Sequence, residues 1–211
     1  MSRIFMCLAR LVVAVSVPVS GQVQNGIQTG PELPKPGQTE GGSSPGFVNF
    51  DDAPSTCSFS DTVATTNEYA AFGVTFSGPG GNDGGAVLDE CSNFGVTGYS
   101  SPNFLAFNTG ASNSDGGVPQ GPETMTFDPL INSLTLNCGA NAGGTVTLEC
   151  FDGGGASLGS DTINVSSVLS PLTVADSGIA SCVVSFTAAL MVCDDLDFAQ
   201  VPVELQTFAV E

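Results

Sequence analysis

From residue 46 onward, apolar residues come in short runs that alternate with polar ones, and turn-forming residues separate the runs. Alternation with a period of two is typical of β-strands that bury one face. Strands are predicted at residues 47–50, 73–77, 104–107, 124–127, 161–165, 178–186 and 190–198. The alternation is clearest at Leu134, Leu136 and Cys138, and at Val146, Leu148 and Cys150, on either side of a turn. Short strands at this spacing predict an all-β fold, a single antiparallel β-sandwich.

The first 45 residues have a different composition. Residues 1–21 contain Arg3, Arg10 and an apolar run over 11–17, followed by small residues, a pattern that predicts a secretory signal peptide. The apolar run is too short to span a bilayer. Residues 22–45 are rich in Pro, Gly and Ser and are expected to form a disordered linker, because they cannot bury enough apolar surface. We therefore expect a β-sandwich over 46–200 and a tail or edge strand over 201–211.

The charge balance is strongly acidic. The chain contains 21 Asp and Glu against 3 Lys and Arg, and its net charge is -18. All three basic residues lie at or before Lys35, so the predicted domain has none. Such a surface repels phosphate backbones and anionic lipids, which argues against nucleic-acid and membrane-surface binding. Its carboxylates must be solvated, hydrogen-bonded or metal-bound, and solvation alone could account for most of them.

Two acidic clusters lie at opposite ends of the predicted domain. Asp51 and Asp52 follow the first strand, and Asp194, Asp195 and Asp197 lie in the last. If these strands are neighbours, the clusters converge, and carboxylate oxygens are the ligands that calcium prefers. The sequence therefore predicts a structural calcium site, with simple exposure to water as the alternative for each acid.

Six cysteines remain once Cys7 is removed with the signal peptide. An even number in an exported chain without His favours three disulfides over a zinc site. Cys182 and Cys193 flank a short connection and are the first predicted pair. Cys57–Cys91 and Cys138–Cys150 then follow, although hairpin register could forbid the last of these.

Several short motifs together resemble exported bacterial domains of PEP-CTERM-type surface proteins, which are similar to galactose-binding-like and carbohydrate-binding jelly rolls. The motifs are Phe-x-Asp-Asp near the start, residues 73–76, 101–106 and 126–129, and the closing stretch 194–198. The resemblance implies a jelly roll with a calcium ion that joins Asp51 or Asp52 to Asp195. The chain lacks the apolar and basic sorting segment of such proteins, so membrane anchoring is not expected.

Three functions are compatible with these features. The first is a secreted or cell-surface, calcium-stabilised, non-catalytic domain with a structural or adhesive role. The second is a carbohydrate-binding module, for which Tyr69, Tyr99 and the polar loop 108–117 are candidates, although both tyrosines could equally pack in the core. An enzyme that uses two carboxylates on polysaccharides is the third, since triads that need His are unavailable.

Overall fold

The computed structural model describes residues 45–57, 62–79, 84–89, 94–108 and 119–201. These residues form nine β-strands and one 3-10 turn, with no α-helix among them. The elements are β1 (Phe47–Val48), the 3-10 turn (Ala70–Phe72), β2 (Val74–Ser77), β3 (Ala86–Asp89), β4 (Asn103–Asn108), β5 (Glu123–Gly139), β6 (Gly144–Phe151), β7 (Ser157–Val165), β8 (Ser170–Phe186) and β9 (Leu190–Gln200). The predicted all-β class is confirmed.

Two long antiparallel strands, β5 and β8, connect the two layers of the sandwich. Their register shifts between Thr126 and Ile131 of β5. Before the shift β5 also pairs with β2, and after it β5 pairs with β9 instead. Residues 128–130 and 175–177 are exposed where the two strands bend, and Gly178 provides a positive φ of 85° there. One layer has the order β2-β5-β8-β6-β7, and the other has the order β3-β4-β9-β5-β8.

The first and last strands of the described fold are neighbours, which is the condition that the calcium hypothesis required. β1 pairs antiparallel with β9, with Phe47 opposite Asp197 and Val48 opposite Leu196. This pairing brings the residues that follow β1 close to the acidic part of β9.

The core lies between the two layers and uses the alternation seen in the sequence. Leu134, Leu136, Val146 and Leu148 are all at most 1% exposed, and they belong to one continuous apolar cluster with side chains from β1, β2, β4 and β9. Burial of this shared surface is the main force that holds the layers together.

The observed disulfides are Cys138–Cys193 and Cys150–Cys182. The predicted pairs Cys182–Cys193 and Cys138–Cys150 are therefore wrong. Although a tight turn joins β5 to β6, β8 lies between them in the sheet, so Cys138 and Cys150 are not neighbours. Instead, Cys138 lies directly opposite Cys193 on β9, and Cys150 lies opposite Cys182 on β8. Cys57 is disulfide-bonded, and its predicted partner Cys91 lies outside the described residues.

Several other predictions also fall outside the described residues: the signal peptide 1–21, nearly all of the linker 22–45, most of the loop 108–117 and the tail 202–211. Within the described ranges, no helix has the length and apolar character needed to cross a membrane.

Candidate cation site between the first and last strands

Asp51 lies in the turn that follows β1, and hydrogen bonds to its carboxylate hold it there. Its Oδ2 atom accepts from Asn49 Nδ2 at 2.7 Å and from the Ser100 hydroxyl at 3.2 Å. Its Oδ1 atom accepts from the backbone N–H of Asn103 at 2.9 Å. Asp51 thus connects the end of β1 to the segment that leads into β4.

Asn103, the first residue of β4, fixes this turn. Its Nδ2 atom donates to the carbonyls of Phe50 at 2.9 Å and Ala53 at 3.0 Å, and its Oδ1 atom accepts from the Ser55 hydroxyl at 2.6 Å. Asn103 is 2% exposed, so these bonds satisfy a side chain that would be costly to bury alone. The turn at Asp51 is therefore positioned by a residue about 50 positions later in the chain.

Asp194 is the most deeply buried acid of the site. It is 0% exposed, and its Oδ2 atom accepts from the backbone N–H of Ser100 at 2.6 Å and from the Ser100 hydroxyl at 2.9 Å. Its Oδ1 atom is buried with no hydrogen-bond partner. Burial, followed by the neighbouring charge of Asp195, raises the pKa of Asp194 to about 8, despite the opposing effect of the hydrogen bonds.

The Ser100 hydroxyl lies within hydrogen-bonding distance of two carboxylates, Asp51 and Asp194. A hydroxyl group has one proton and can donate it to only one acceptor at a time. One of the two carboxylates is therefore without this donor at any moment. A buried oxygen of Asp194 that has no donor, close to a second carboxylate, favours either a proton on Asp194 or a bound cation.

Asp195 lies at a β-bulge. Thr135 of β5 is opposite Asp197 while Asn137 is opposite Asp194, so β9 has one extra residue in this interval. Asp195 has a positive φ of 50°, which is uncommon for a residue other than Gly. It is half-buried, and burial followed by the charge of Asp51 raises its pKa, against the lowering effect of a Ser100 hydrogen bond.

Tyr69 lies beneath the same acids. It is 2% exposed, and its ring packs edge-on against Phe50 with 5.3 Å between centroids. Its hydroxyl has no hydrogen-bond partner. Burial and then the charges of Asp52, Glu68, Asp51 and Asp194 raise its pKa. Tyr69 is thus a core residue and presents no ring face to a ligand. The ring of the other candidate, Tyr99, packs on Phe104 with 4.9 Å between ring centroids.

No protein-family model matches the chain, and no characterised protein matches it in sequence. Among solved structures, it is similar to the K2 cleaved adhesin domain of Lys-gingipain, with 13% identity and a TM-score of 0.48 over 73% of this chain and 98% of that one. It is also similar to the C-terminal family 22 carbohydrate binding module of Clostridium thermocellum Xyn10B, with 16% identity and a TM-score of 0.36 over 67% and 94% of the two chains. A third is CsCBM6-3 from Clostridium stercorarium, in complex with cellobiose, with 12% identity and a TM-score of 0.26 over 71% and 99%. These values identify neither a family nor a ligand for this chain.

Of the five predicted metal ligands, Asp51 and Asp194 lie within hydrogen-bonding distance of one serine hydroxyl, and Asp195 follows Asp194 directly in the chain. Asp52 and Asp197 are exposed. Among the residues that the structure describes, no three His, Cys, Asp or Glu side chains are grouped as metal ligands. A cation at this site would therefore also need neutral oxygen ligands.

Sequence reasoning missed Ser100 and Asn103, which lie far from both acidic clusters along the chain. The available signal was a short polar stretch, residues 100–103, directly before the apolar strand β4. Polar residues at such a position are common in loops, so the signal does not distinguish a site from an ordinary turn.

Proposed function

We propose that this chain is an exported, non-catalytic β-sandwich with a structural or adhesive role outside the cell, stabilised by a calcium ion between its first and last strands. The observation that carries the proposal is the buried Oδ1 atom of Asp194. It has no partner, and it belongs to a carboxylate that shares one serine hydroxyl with Asp51. A buried acceptor without a donor is destabilising unless a proton or a cation satisfies it.

The oxygen atoms present are those that calcium takes. A calcium ion binds six to eight oxygens from carboxylates, hydroxyls, carbonyls and water. Asp51 and Asp194 would supply the negative charge, with Asp195 as the third acid, and Ser100 would supply a neutral oxygen. When bound, the ion would supply the positive charge that the described part of the chain does not have, because Arg3, Arg10 and Lys35 all precede it.

Other features of the chain support export and a non-catalytic role. The disulfides Cys138–Cys193 and Cys150–Cys182 are fully buried and join strands of the core, as expected of a protein that folds in an oxidising compartment. The sequence has no His, which removes the usual general base of hydrolytic triads. The acids of the site are hydrogen-bonded between strands, an arrangement suited to stabilising the fold.

The test is thermal unfolding of the disulfide-intact protein in millimolar calcium and in excess chelator. One site at 100-fold saturation adds about 2.7 kcal/mol to the free energy of unfolding. At about 2–4 °C per kcal/mol for a domain of this size, Tm should rise by roughly 5–10 °C. Magnesium at the same concentration should give a smaller shift, because it prefers a tighter, hydrated octahedral site.

Two variants test whether the calcium-dependent rise in Tm comes from the site at Asp51 and Asp194. Asp51→Asn should remove most of the calcium-dependent shift. Asp128→Asn, at an exposed acid in the bend of β5, is the matched control and should retain it. Equal Tm values in calcium and in chelator would contradict the proposal, and so would a shift that Asp51→Asn leaves intact.

A further inference from the structure

The layer β2-β5-β8-β6-β7 has an outer face on which small hydroxyl side chains predominate. Two rows of residues cross all five strands in register. One row is Thr75, Thr126, Ser181, Phe151 and Ser157, and the next is Ser77, Thr124, Val183, Glu149 and Ser160. We call these ten residues the hydroxyl face. Seven of the ten are Ser or Thr.

Burial confirms that these side chains point away from the core. On four of the five strands the position between the two rows is buried, at most 3% exposed: Phe76, Met125, Cys182 and Cys150. On β7 a register shift separates the two rows, and both Ser157 and Ser160 are exposed. Because side chains alternate between the faces of a strand, the residues on either side of them face outward. Every member of the hydroxyl face is at least partly exposed.

The hydroxyl face differs from the rest of the molecule in charge. The whole chain has a net charge of -18, yet Glu149 is the single ionisable side chain among these ten residues. A surface without basic residues cannot attract a nucleic acid or another anionic polymer, whereas a neutral molecule meets no electrostatic repulsion there. The face therefore suits an uncharged ligand with many hydroxyl groups.

Two residues on β6, Phe151 and Glu149, add an aromatic ring and a carboxylate to the hydroxyl face. Phe151 is a partly exposed aromatic ring on a face of otherwise small side chains. Glu149 lies two residues away on the same strand and face, about 7 Å along it. Its Oε1 atom accepts a hydrogen bond from the Ser157 hydroxyl at 2.8 Å, and a carboxylate can accept further bonds from a ligand. An aromatic platform beside a hydrogen-bond acceptor can hold a ring that has one apolar face and a hydroxylated edge.

We propose that the hydroxyl face binds a neutral polysaccharide chain laid across the strands, with one sugar ring stacked on Phe151 and its hydroxyls donating to Glu149. The five strands span about 19 Å, which accommodates several sugar units in a row. The serine and threonine hydroxyls along each row can donate to and accept from the ligand. This assignment goes beyond the structural role and does not depend on the cation site, which is built from other elements.

The test is affinity electrophoresis of the intact protein in native gels that contain soluble xylan, mixed-linkage β-glucan or galactomannan, with polygalacturonate as the anionic comparison. Migration should be retarded in at least one neutral gel and unaffected by polygalacturonate. Phe151→Ala should weaken the apparent affinity about tenfold, the effect of about 1.4 kcal/mol. Glu149→Gln should weaken it less, because the amide retains one acceptor.

Phe94→Ala is the matched control. Phe94 is also a partly buried phenylalanine, but it lies away from the hydroxyl face and packs near Phe104, with 6.1 Å between ring centroids. Phe94→Ala should leave retardation unchanged, and thermal melts should show that each variant folds. Retardation that is lost with Phe94→Ala but not with Phe151→Ala would overturn the assignment of the site. No retardation in any neutral gel would overturn glycan binding itself, while the calcium-dependent melt would be unaffected.

Discussion

At the scale of single residues, the candidate site depends on an imbalance between acceptors and donors. Asp51 and Asp194 share the Ser100 hydroxyl, and one oxygen of Asp194 is buried with no partner. The imbalance can be removed in two ways, by protonation of Asp194 or by a cation. Which of the two operates depends on pH, because the raised pKa of Asp194 lies within the range of ordinary buffers.

The first prediction concerns stability against pH in chelator. Folded Asp194 keeps its proton up to about pH 8, whereas an unfolded Asp releases it near pH 4. The folded state therefore binds more protons between these values, and stability must fall as pH rises through this range. Tm in chelator should drop by on the order of 5–10 °C between pH 5 and pH 8. Asp195, whose pKa is also raised, acts in the same direction.

Asp194→Asn tests the assignment, since the amide cannot lose a proton. This variant should flatten the dependence of Tm on pH in chelator and abolish the response to calcium. Asp197→Asn, at an exposed acid of the same strand, should preserve both. If Asp194→Asn keeps the full pH dependence, the buried carboxyl is not its source.

At the scale of elements, the pairing of the four core cysteines follows from the order of the long strands in the sheet. Cys138–Cys193 joins β5 to β9, and Cys150–Cys182 joins β6 to β8. Each bond connects residues directly opposite each other in register. Cys193 also directly precedes Asp194, so the first disulfide anchors the strand that carries the deepest acid of the site.

The second prediction is the disulfide map and its energetic effect. Mass spectrometry of an unreduced digest should yield the Cys138–Cys193 and Cys150–Cys182 peptides. Trypsin has no cleavage site after Lys35, so the digest needs an enzyme that cuts at acidic or aromatic residues. Loops of 55 and 32 residues correspond to about 4 kcal/mol per bond in the chain-entropy estimate.

Double alanine variants, one for each disulfide, distinguish the effects of the two bonds on stability and calcium binding. Removing Cys138 and Cys193 together should lower stability and also weaken calcium binding, because Asp194 loses its anchored neighbour. Removing Cys150 and Cys182 together should lower stability by a similar amount and leave calcium affinity unchanged. A digest that contains linked Cys138 and Cys150 would refute the strand order itself.

At the scale of the whole molecule, the described fold has acidic side chains and no basic ones. Like charges at this density repel one another and destabilise the compact state. The hydroxyl face has only one of these charges, Glu149, so most of the acids lie elsewhere in the chain.

The third prediction is that monovalent salt stabilises the protein. Raising the salt concentration from 0.02 to 0.5 M in chelator should increase Tm by on the order of 5 °C, because screening shortens the range of the repulsion. Choline chloride should act as well as sodium chloride, since its cation is too large for the site at Asp194. Stabilisation by sodium alone would instead indicate specific binding at that site.

The sequence alone was sufficient for features that depend on neighbouring residues. Strand positions follow from the alternation of residues such as Leu134 and Leu136, and their burial is as predicted. The adjacency of the first and last strands was a condition of the calcium hypothesis, and the structure meets it. The full length of β5 and β8 was not predicted, because exposed positions interrupt the alternation in the middle of these strands. The strand β3 was missed because its burial does not alternate: its first three residues are all buried.

Features that depend on which strands are neighbours were determined only by the tertiary structure. The insertion of β8 between β5 and β6 determines the disulfide pairing, and no local pattern shows it, because the turn between β5 and β6 looks like that of a hairpin. Ser100 and Asn103 reach the acids across about 50 to 95 residues of chain, and the five-strand register alone assembles the hydroxyl face. Alternation with a period of two is a property of one strand, whereas register and strand order arise only when the layers pack together.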